Sequence, residues 1–254
     1  MNPQRDQILR ELGLGPQWRL REDAEHEVEL AATSVAAPKA VAEAIAEAVI
    51  ATAASPTRVV STASLTSAVD VKHLNWDDLA TAVAECRACT LCQARKQAVL
   101  GVGDKQADWL FVGEGPGAEE DERGEPFVGQ AGKLLDAMLA AIDLQRGNNV
   151  YIANAVKCRP PNNRTPEPEE TAACKPYLER QIELLQPKLI VALGRPAAQS
   201  LLQREVKIGE ARGKLFDYKG IPLIVTYHPA YLLRNLHDKA KAWEDLCFAR
   251  RTIG

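Results

Sequence analysis

The spacing of apolar residues changes along the chain and divides it into parts. In residues 1–22, Ile8, Leu9, Leu12 and Leu14 recur at helical spacing, with Trp18 and Leu20 following, which predicts a short amphipathic helix. From residue 23 the pattern dissolves. Residues 23–73 are rich in Ala, Val, Ser and Thr, and up to residue 70 they hold no aromatic side chain. Pro38–Ala54 has the composition of a transient helix but lacks the large apolar groups that build a core. The expectation for 23–73 is a disordered, Ala-rich tether, and with residues 1–22 it makes a low-complexity N-terminal extension. Order is expected from Leu74, where Asn75 can cap a helix carrying Asp77 and Asp78 in its first turn. Four short, almost wholly apolar runs follow: Trp109–Gly113, Val150–Ala155, Leu189–Leu193 and Ile221–Tyr227. Helical patterns separate or follow them at Ala131–Ile142, Pro168–Leu185, Pro196–Leu202 and His237–Arg250. Strands alternating with helices predict an α/β domain over 74–254, with a four-stranded parallel sheet covered on both faces. Such sheets carry their sites at the carboxyl ends of the strands.

Composition permits a sizeable core, since 46% of residues are apolar. The net charge of −3 at first argues against a nucleic-acid partner. Residues 1–75, however, carry 7 basic and 10 acidic side chains, which leaves 24 of each for the remainder. A neutral domain still binds DNA if its basic residues gather on one face. The N-terminus, MNPQRDQILRELGLG, lacks the apolar stretch of a signal peptide. No segment reaches the ~18 uncharged apolar residues of a membrane span. A cytoplasmic protein in a reducing compartment is therefore expected, and its six cysteines read as metal ligands or free thiols rather than disulfides.

Cys86-Arg-Ala-Cys89 is a Cys-x-x-Cys pair, and Cys158 and Cys174 lie far downstream with fifteen residues between them. Four thiolates can hold a tetrahedral zinc or an iron–sulfur cluster. The second pair is split by the proline-rich loop CRPPNNRTPEPEE, which suits a cluster pinning a loop to the start of the domain. Cys92, in CRACTLC, and Cys247, in an apolar helical context, read as bystanders.

The remaining motifs each follow a strand. Gly113-Glu-Gly-Pro-Gly117 lets a ligand approach the backbone closely, and it is neither a Walker loop nor a good dinucleotide fingerprint. Its Glu114 offers a carboxylate that can orient or activate water. Phe127, in Glu125-Pro-Phe-Val-Gly129, is a core plug or a stacking face for a base. Asn154 carries a donor and an acceptor that can cap a turn or read a base edge. His228 opens His-Pro-Ala-Tyr-Leu-Leu-Arg, where Leu232 or Leu233 suits a wedge entering a base stack while Arg234 contacts phosphate.

Taken together, CRAC, VGEGPGAEEDERGEPFVGQAGKLLD, NAVKCRPPNNRTPEPEE with Cys174, and HPAYLLR resemble the family-4 uracil-DNA glycosylases. The resemblance runs from about Leu74 to Arg250. It implies a three-layer α/β/α sandwich and a [4Fe–4S] cluster on Cys86, Cys89, Cys158 and Cys174, with Cys92 outside the ligand set. It also implies that Glu114 and Gly115 border the uracil and the attacking water, that Pro116 belongs to the substrate-binding residues, and that Glu120 lies near the uracil ring. Phe127 corresponds to the stacking aromatic, Asn154 to the base-reading amide and His228 to the motif histidine. One neighbouring group lacks a polar residue in the first motif, and Glu114 argues against it. Another crosslinks itself to uracil through an inserted Lys-Arg-Arg-Ile-His segment, where this chain reads CRPPNNRTP without histidine.

The expected partner is uracil-containing DNA, handled by a monomer. The base must be extruded, and the loss of stacking opposes this by a few kcal/mol. Asn154 donates to O4 and accepts from N3–H, His228 donates to O2, and Glu114 holds the water. Arg159 and Arg164, on a loop stapled by the cluster, are expected at phosphates. A non-catalytic iron–sulfur DNA-binding module could dispense with Glu114 and His228. A zinc hydrolase of free nucleosides would not need the Leu-Leu-Arg wedge.

Overall fold

The computed structural model describes residues 70–254, so the helix expected over 1–22 and the tether through residue 69 lie outside the described residues. Val71–His73 form a 3-10 turn and Val71 is buried. Asn75 then caps the first helix, its Oδ1 accepting from the backbone N–H groups of Asp77 and Asp78 at 2.9 and 3.0 Å.

The sheet has six strands in the order β1-β3-β2-β4-β6-β5. These are β1 (Val102–Gly103), β2 (Trp109–Gly113), β3 (Val150–Asn154), β4 (Leu189–Leu193), β5 (Leu215–Tyr218) and β6 (Ile221–Thr226). The sheet thus holds two strands beyond the four expected. The four apolar runs are the inner strands, and β3, β2, β4 and β6 pair in parallel. The two additional strands are antiparallel edges. β1 is two residues long, too short for any periodicity. β5 is exposed at two of its four residues, Leu215 and Asp217, and joins β6 through Lys219 and Gly220, both at positive φ, in a two-residue hairpin loop.

The helices are α1 (Trp76–Glu85), α2 (Ala118–Arg123), α3 (Gln130–Ala140), α4 (Pro168–Leu185), α5 (Arg195–Leu202), α6 (Ile208–Ala211), α7 (Pro229–Arg234) and α8 (Lys239–Ile253). Alternation along the inner strands sends their side chains to opposite faces. Leu110, Val112, Ile190 and Val225 pack with Leu178 and Ile182 of α4 and Ala198 and Leu201 of α5. Phe111, Ile152, Val191 and Ile224 pack with Leu135 and Leu139 of α3 and Leu246 of α8. Because both faces are covered, the inner strands read as unbroken apolar runs rather than alternating ones. A third cluster joins Leu79 and Val83 of α1 to Val156, Cys158, Cys174 and Tyr177. Register sets Gly113 opposite Asn154 and Leu193 opposite Thr226, so the four parallel strands deliver their motif loops to one edge.

Candidate active site

A cavity of about 860 Å³ opens at those carboxyl ends, and its wall includes Glu114, Phe127, Asn154, Arg195, Tyr227 and His228. Gly115, Pro116 and Glu120 also lie on it.

Asn154 is 2% exposed, and its Oδ1 has no hydrogen-bond partner among the described residues. A buried acceptor in that state costs ~1–3 kcal/mol and calls for an explanation. A donor on a ligand in the cavity supplies one. Gly113 makes the arrangement possible: a Cβ there would meet Asn154 Oδ1 and come within 2.6 Å of Phe127 Cζ. Phe127 has φ of +56°, unusual for a residue with a side chain, and its ring stacks near His228 with centroids 5.4 Å apart and planes at 29°.

Two groups hold that strained loop. Glu120 uses its carboxylate on the backbone, accepting from Gly117 N–H at 3.0 Å, Val128 N–H at 2.9 Å and Gly129 N–H at 3.2 Å. Arg146 donates to the Pro126 and Phe127 carbonyls at 2.9 and 2.8 Å and pairs with Asp136. Sequence reasoning set Glu120 at the ring and missed Arg146, which lies in the loop after α3 and belongs to no motif.

His228 caps α7, and its Nδ1 accepts the backbone N–H of Ala230 at 3.1 Å. A backbone N–H can only donate, so Nδ1 carries the lone pair and a neutral ring has its proton on Nε2. Loss of solvation, aided by the Arg234 charge and opposed by Glu120, brings the pKa of His228 down to about 4. The imidazole is therefore neutral at physiological pH. Burial pushes the Glu114 carboxyl up, against a hydrogen bond from Thr165 and the positive charge of Arg195. Neither Thr165 nor Arg195 stands out in sequence.

The residues expected on DNA separate. Leu232 is corrected: at 1% exposure it is packed inside and cannot enter a base stack, whereas Leu233 is 41% exposed. Arg164 is not a free cation either. It grips the buried Glu170 with two nitrogens at 2.7 and 2.8 Å and also bonds the Thr165 carbonyl. Arg159 donates to Asn163 Oδ1 at 2.7 Å, and Arg234 is exposed on the cavity wall.

Away from this cavity, Cys86, Cys89, Cys158 and Cys174 line one small pocket with Tyr177, and Cys92 is not on its wall. No group of three or more His, Cys, Asp or Glu side chains converges on a single ion's position among the described residues. Two cations attend the sulfurs. Arg95 donates to Cys158 Sγ at 2.8 Å and to the Ala84 and Cys86 carbonyls. Lys157, 1% exposed, donates its backbone N–H to Cys174 Sγ at 3.2 Å and its ammonium to the Asn154 carbonyl at 2.7 Å. Burial pushes the thiols of Cys158 and Cys174 up to about 11 and about 12, so thiolates there require further positive charge. Four sulfurs around one pocket, with cationic neighbours, are a donor set that fits a thiolate-bound cluster.

An α/β domain with an aromatic ring, a buried unpartnered amide acceptor and a neutral imidazole on one recess has the layout of an enzyme that handles a planar base. Residues 100–247 match the uracil DNA glycosylase superfamily model. The chain belongs to that superfamily and, within it, to the type-4 uracil-DNA glycosylases. It is 48% identical over 165 residues to the type-4 uracil-DNA glycosylase of Archaeoglobus fulgidus, covering 62% of this chain and 82% of that protein. The type-4 enzyme of Thermotoga maritima is 49% identical over 161 residues, with 63% and 83% covered. That of Pyrobaculum aerophilum is 44% identical over 172 residues, with 65% and 87% covered.

Proposed function

We propose that this chain is a DNA-repair hydrolase that takes extruded uracil into the recess, cleaves its N-glycosidic bond, and leaves free uracil and an abasic site. The observation that carries this reading is the unpartnered Oδ1 of Asn154, buried beside the Phe127 ring. It matches the N3–H of uracil, which cytosine lacks. Phe127 stacks on the base, and Glu120 positions the Phe127 loop. Cleavage leaves negative charge on uracil and positive charge on the sugar. Nε2–H of neutral His228 stabilises the first at O2, and Glu114 orients water and offsets the second. Gly115 and Pro116 shape the turn around that water. Leu233 fills the gap left by the base, and Arg234 and Arg159 contact phosphates. Incubation with uracil-containing DNA should release free uracil and produce alkali-labile sites. Tight binding without release would instead favour a non-catalytic DNA-binding module.

The acid limb of single-turnover excision should reflect Glu114 rather than His228. Burial holds the Glu114 pKa above its usual 4.5, while that of His228 is about 4. As pH falls, the carboxylate takes up its proton first and the rate drops. Arg195→Ala removes a charge that favours the carboxylate and should move this limb to higher pH. A limb unmoved by Arg195→Ala and abolished in His228→Gln would reverse the assignment.

Cys86, Cys89, Cys158 and Cys174 are the proposed ligands of a [4Fe–4S] cluster, with Arg95 and Lys157 offsetting its thiolate charge. The cluster supplies a rigid staple between the start of the domain and the CRPPNNRTP loop. Cys158→Ala should lose bound iron and the broad visible absorbance, and Cys92→Ala should keep both. Stoichiometric zinc without iron in anaerobically purified protein would contradict the assignment. The reading also takes the domain as a three-layer α/β/α sandwich, supported by separate helix sets on the two sheet faces. It takes the protein as a monomer and as cytoplasmic, the latter in keeping with six cysteines outside any disulfide.

A further inference from the structure

The cavity has more room than a single pyrimidine ring fills, and a second aromatic pair stands on its wall. Tyr227 and Tyr231 stack with centroids 5.2 Å apart and planes at 10°, nearly parallel. Neither ring belongs to the hydrophobic clusters that cover the sheet, and both are half-buried. Core packing therefore does not account for the pair. Its orientation is fixed in advance: the Tyr231 hydroxyl donates to Asp238 at 2.7 Å, and Asp238 is itself held by Lys241 at 2.8 Å. The exposed Arg195 and Arg234 lie on the same cavity wall.

We propose that Tyr227 and Tyr231 form a second base platform, which stacks the unpaired base of a nucleotide next to the flipped uracil. This rests on the uracil reading of the first subsite, which Phe127 and His228 frame. Tyr227 directly precedes His228 in the chain, so the two platforms are joined by one peptide bond. Guanidinium groups on the shared wall suit the phosphates linking the two nucleotides. An aromatic face takes any base, so the subsite is tolerant of sequence. A neighbour within a duplex is already paired and stacked and gains little from the platform. The subsite therefore favours uracil in single-stranded or locally opened DNA.

The test measures Kd for oligonucleotides carrying a 2′-fluoro uracil nucleotide that resists cleavage, as single strands and as duplexes. Tyr227→Leu should weaken single-strand binding by about tenfold, ~1.4 kcal/mol, within the range of one base–aromatic stack. Duplex binding should change by less than about twofold, and Tyr227→Phe should behave as wild type. Independently of how any variant folds, an abasic spacer placed on each side of uracil in turn should weaken wild-type single-strand binding about tenfold on one side. Tyr227→Leu should be indifferent to that spacer. Equal losses on single strand and duplex, or wild-type binding insensitive to the spacer on both sides, would overturn the proposal. Failure of the wild type to release uracil from ordinary substrate would count against the first subsite instead, because the spacer comparison reads the platform without cleavage.

Discussion

His228→Ala should slow single-turnover uracil excision by about 10²–10³ while leaving DNA affinity nearly unchanged, the signature of a contact made chiefly in the transition state. The Ala230 N–H fixes the Nδ1 lone pair, leaving Nε2–H as the donor of the neutral ring. Desolvation and the Arg234 charge keep the ring neutral down to a pH of about 4. A neutral donor does not surrender its proton to the leaving base. It strengthens its hydrogen bond as charge accumulates on O2. Protonating the ring would put a hydrogen on Nδ1 facing the Ala230 N–H, which is a second reason the imidazolium is disfavoured. Glu114→Ala should cost a similar factor by a different route, through the water and the sugar cation. Near wild-type rates for both variants would mean that the chemistry lies on other residues. Uracil and cytosine share O2, so His228→Ala should leave the preference between them unchanged.

Asn154→Asp should weaken uracil excision and relax the rejection of cytosine. A site built to hydrogen-bond a substrate group typically rejects an analogue lacking it by about 10⁴–10⁵-fold, because buried groups are then left unpaired. Uracil offers a donor at N3 and an acceptor at O4, and cytosine offers the reverse. The amide meets the uracil pattern with Oδ1 and Nδ2. A carboxylate in its place exchanges the donor for a second acceptor, which repels O4 and suits the exocyclic amine of cytosine. Single-turnover rates on oligonucleotides differing only at that base would measure the change. An unaltered ratio of uracil to cytosine cleavage would remove Asn154 from base reading. Because its carbonyl is held by the Lys157 ammonium, the backbone position should survive the substitution.

The inner sheet was legible because strands covered on both faces must be apolar throughout. β1 and β5 were not, since two residues carry no period and an exposed edge strand carries little hydrophobic signal. The loops that meet at the cavity were legible as residue types after strands, and the structure brings Glu114, Phe127, Asn154 and His228 to one wall. What supports them was hidden. Glu120 and Arg146 act on backbone atoms of the Phe127 loop, and a hydrogen bond to backbone leaves no matching side chain to notice. Lys157 was visible beside Cys158, but its burial and its reach to the Asn154 carbonyl depend on the fold. The choice between Leu232 and Leu233 turned on helix geometry: α7 rotates adjacent residues by about 100°, so one leucine faces the core and the other solvent. Arg164 looked like a phosphate contact until folding brought it against Glu170.

The unpartnered Oδ1 of Asn154 also bears on how such a domain evolves. The side chain proposed to read the base holds the fold below its attainable stability, by an amount comparable to an average damaging point mutation. Selection for heat tolerance alone would drive that position toward a residue without an unanswered acceptor, and recognition would be lost with it. The amide is retained only while its activity is under selection, which makes position 154 an early marker of a lineage that has kept the scaffold and abandoned the reaction.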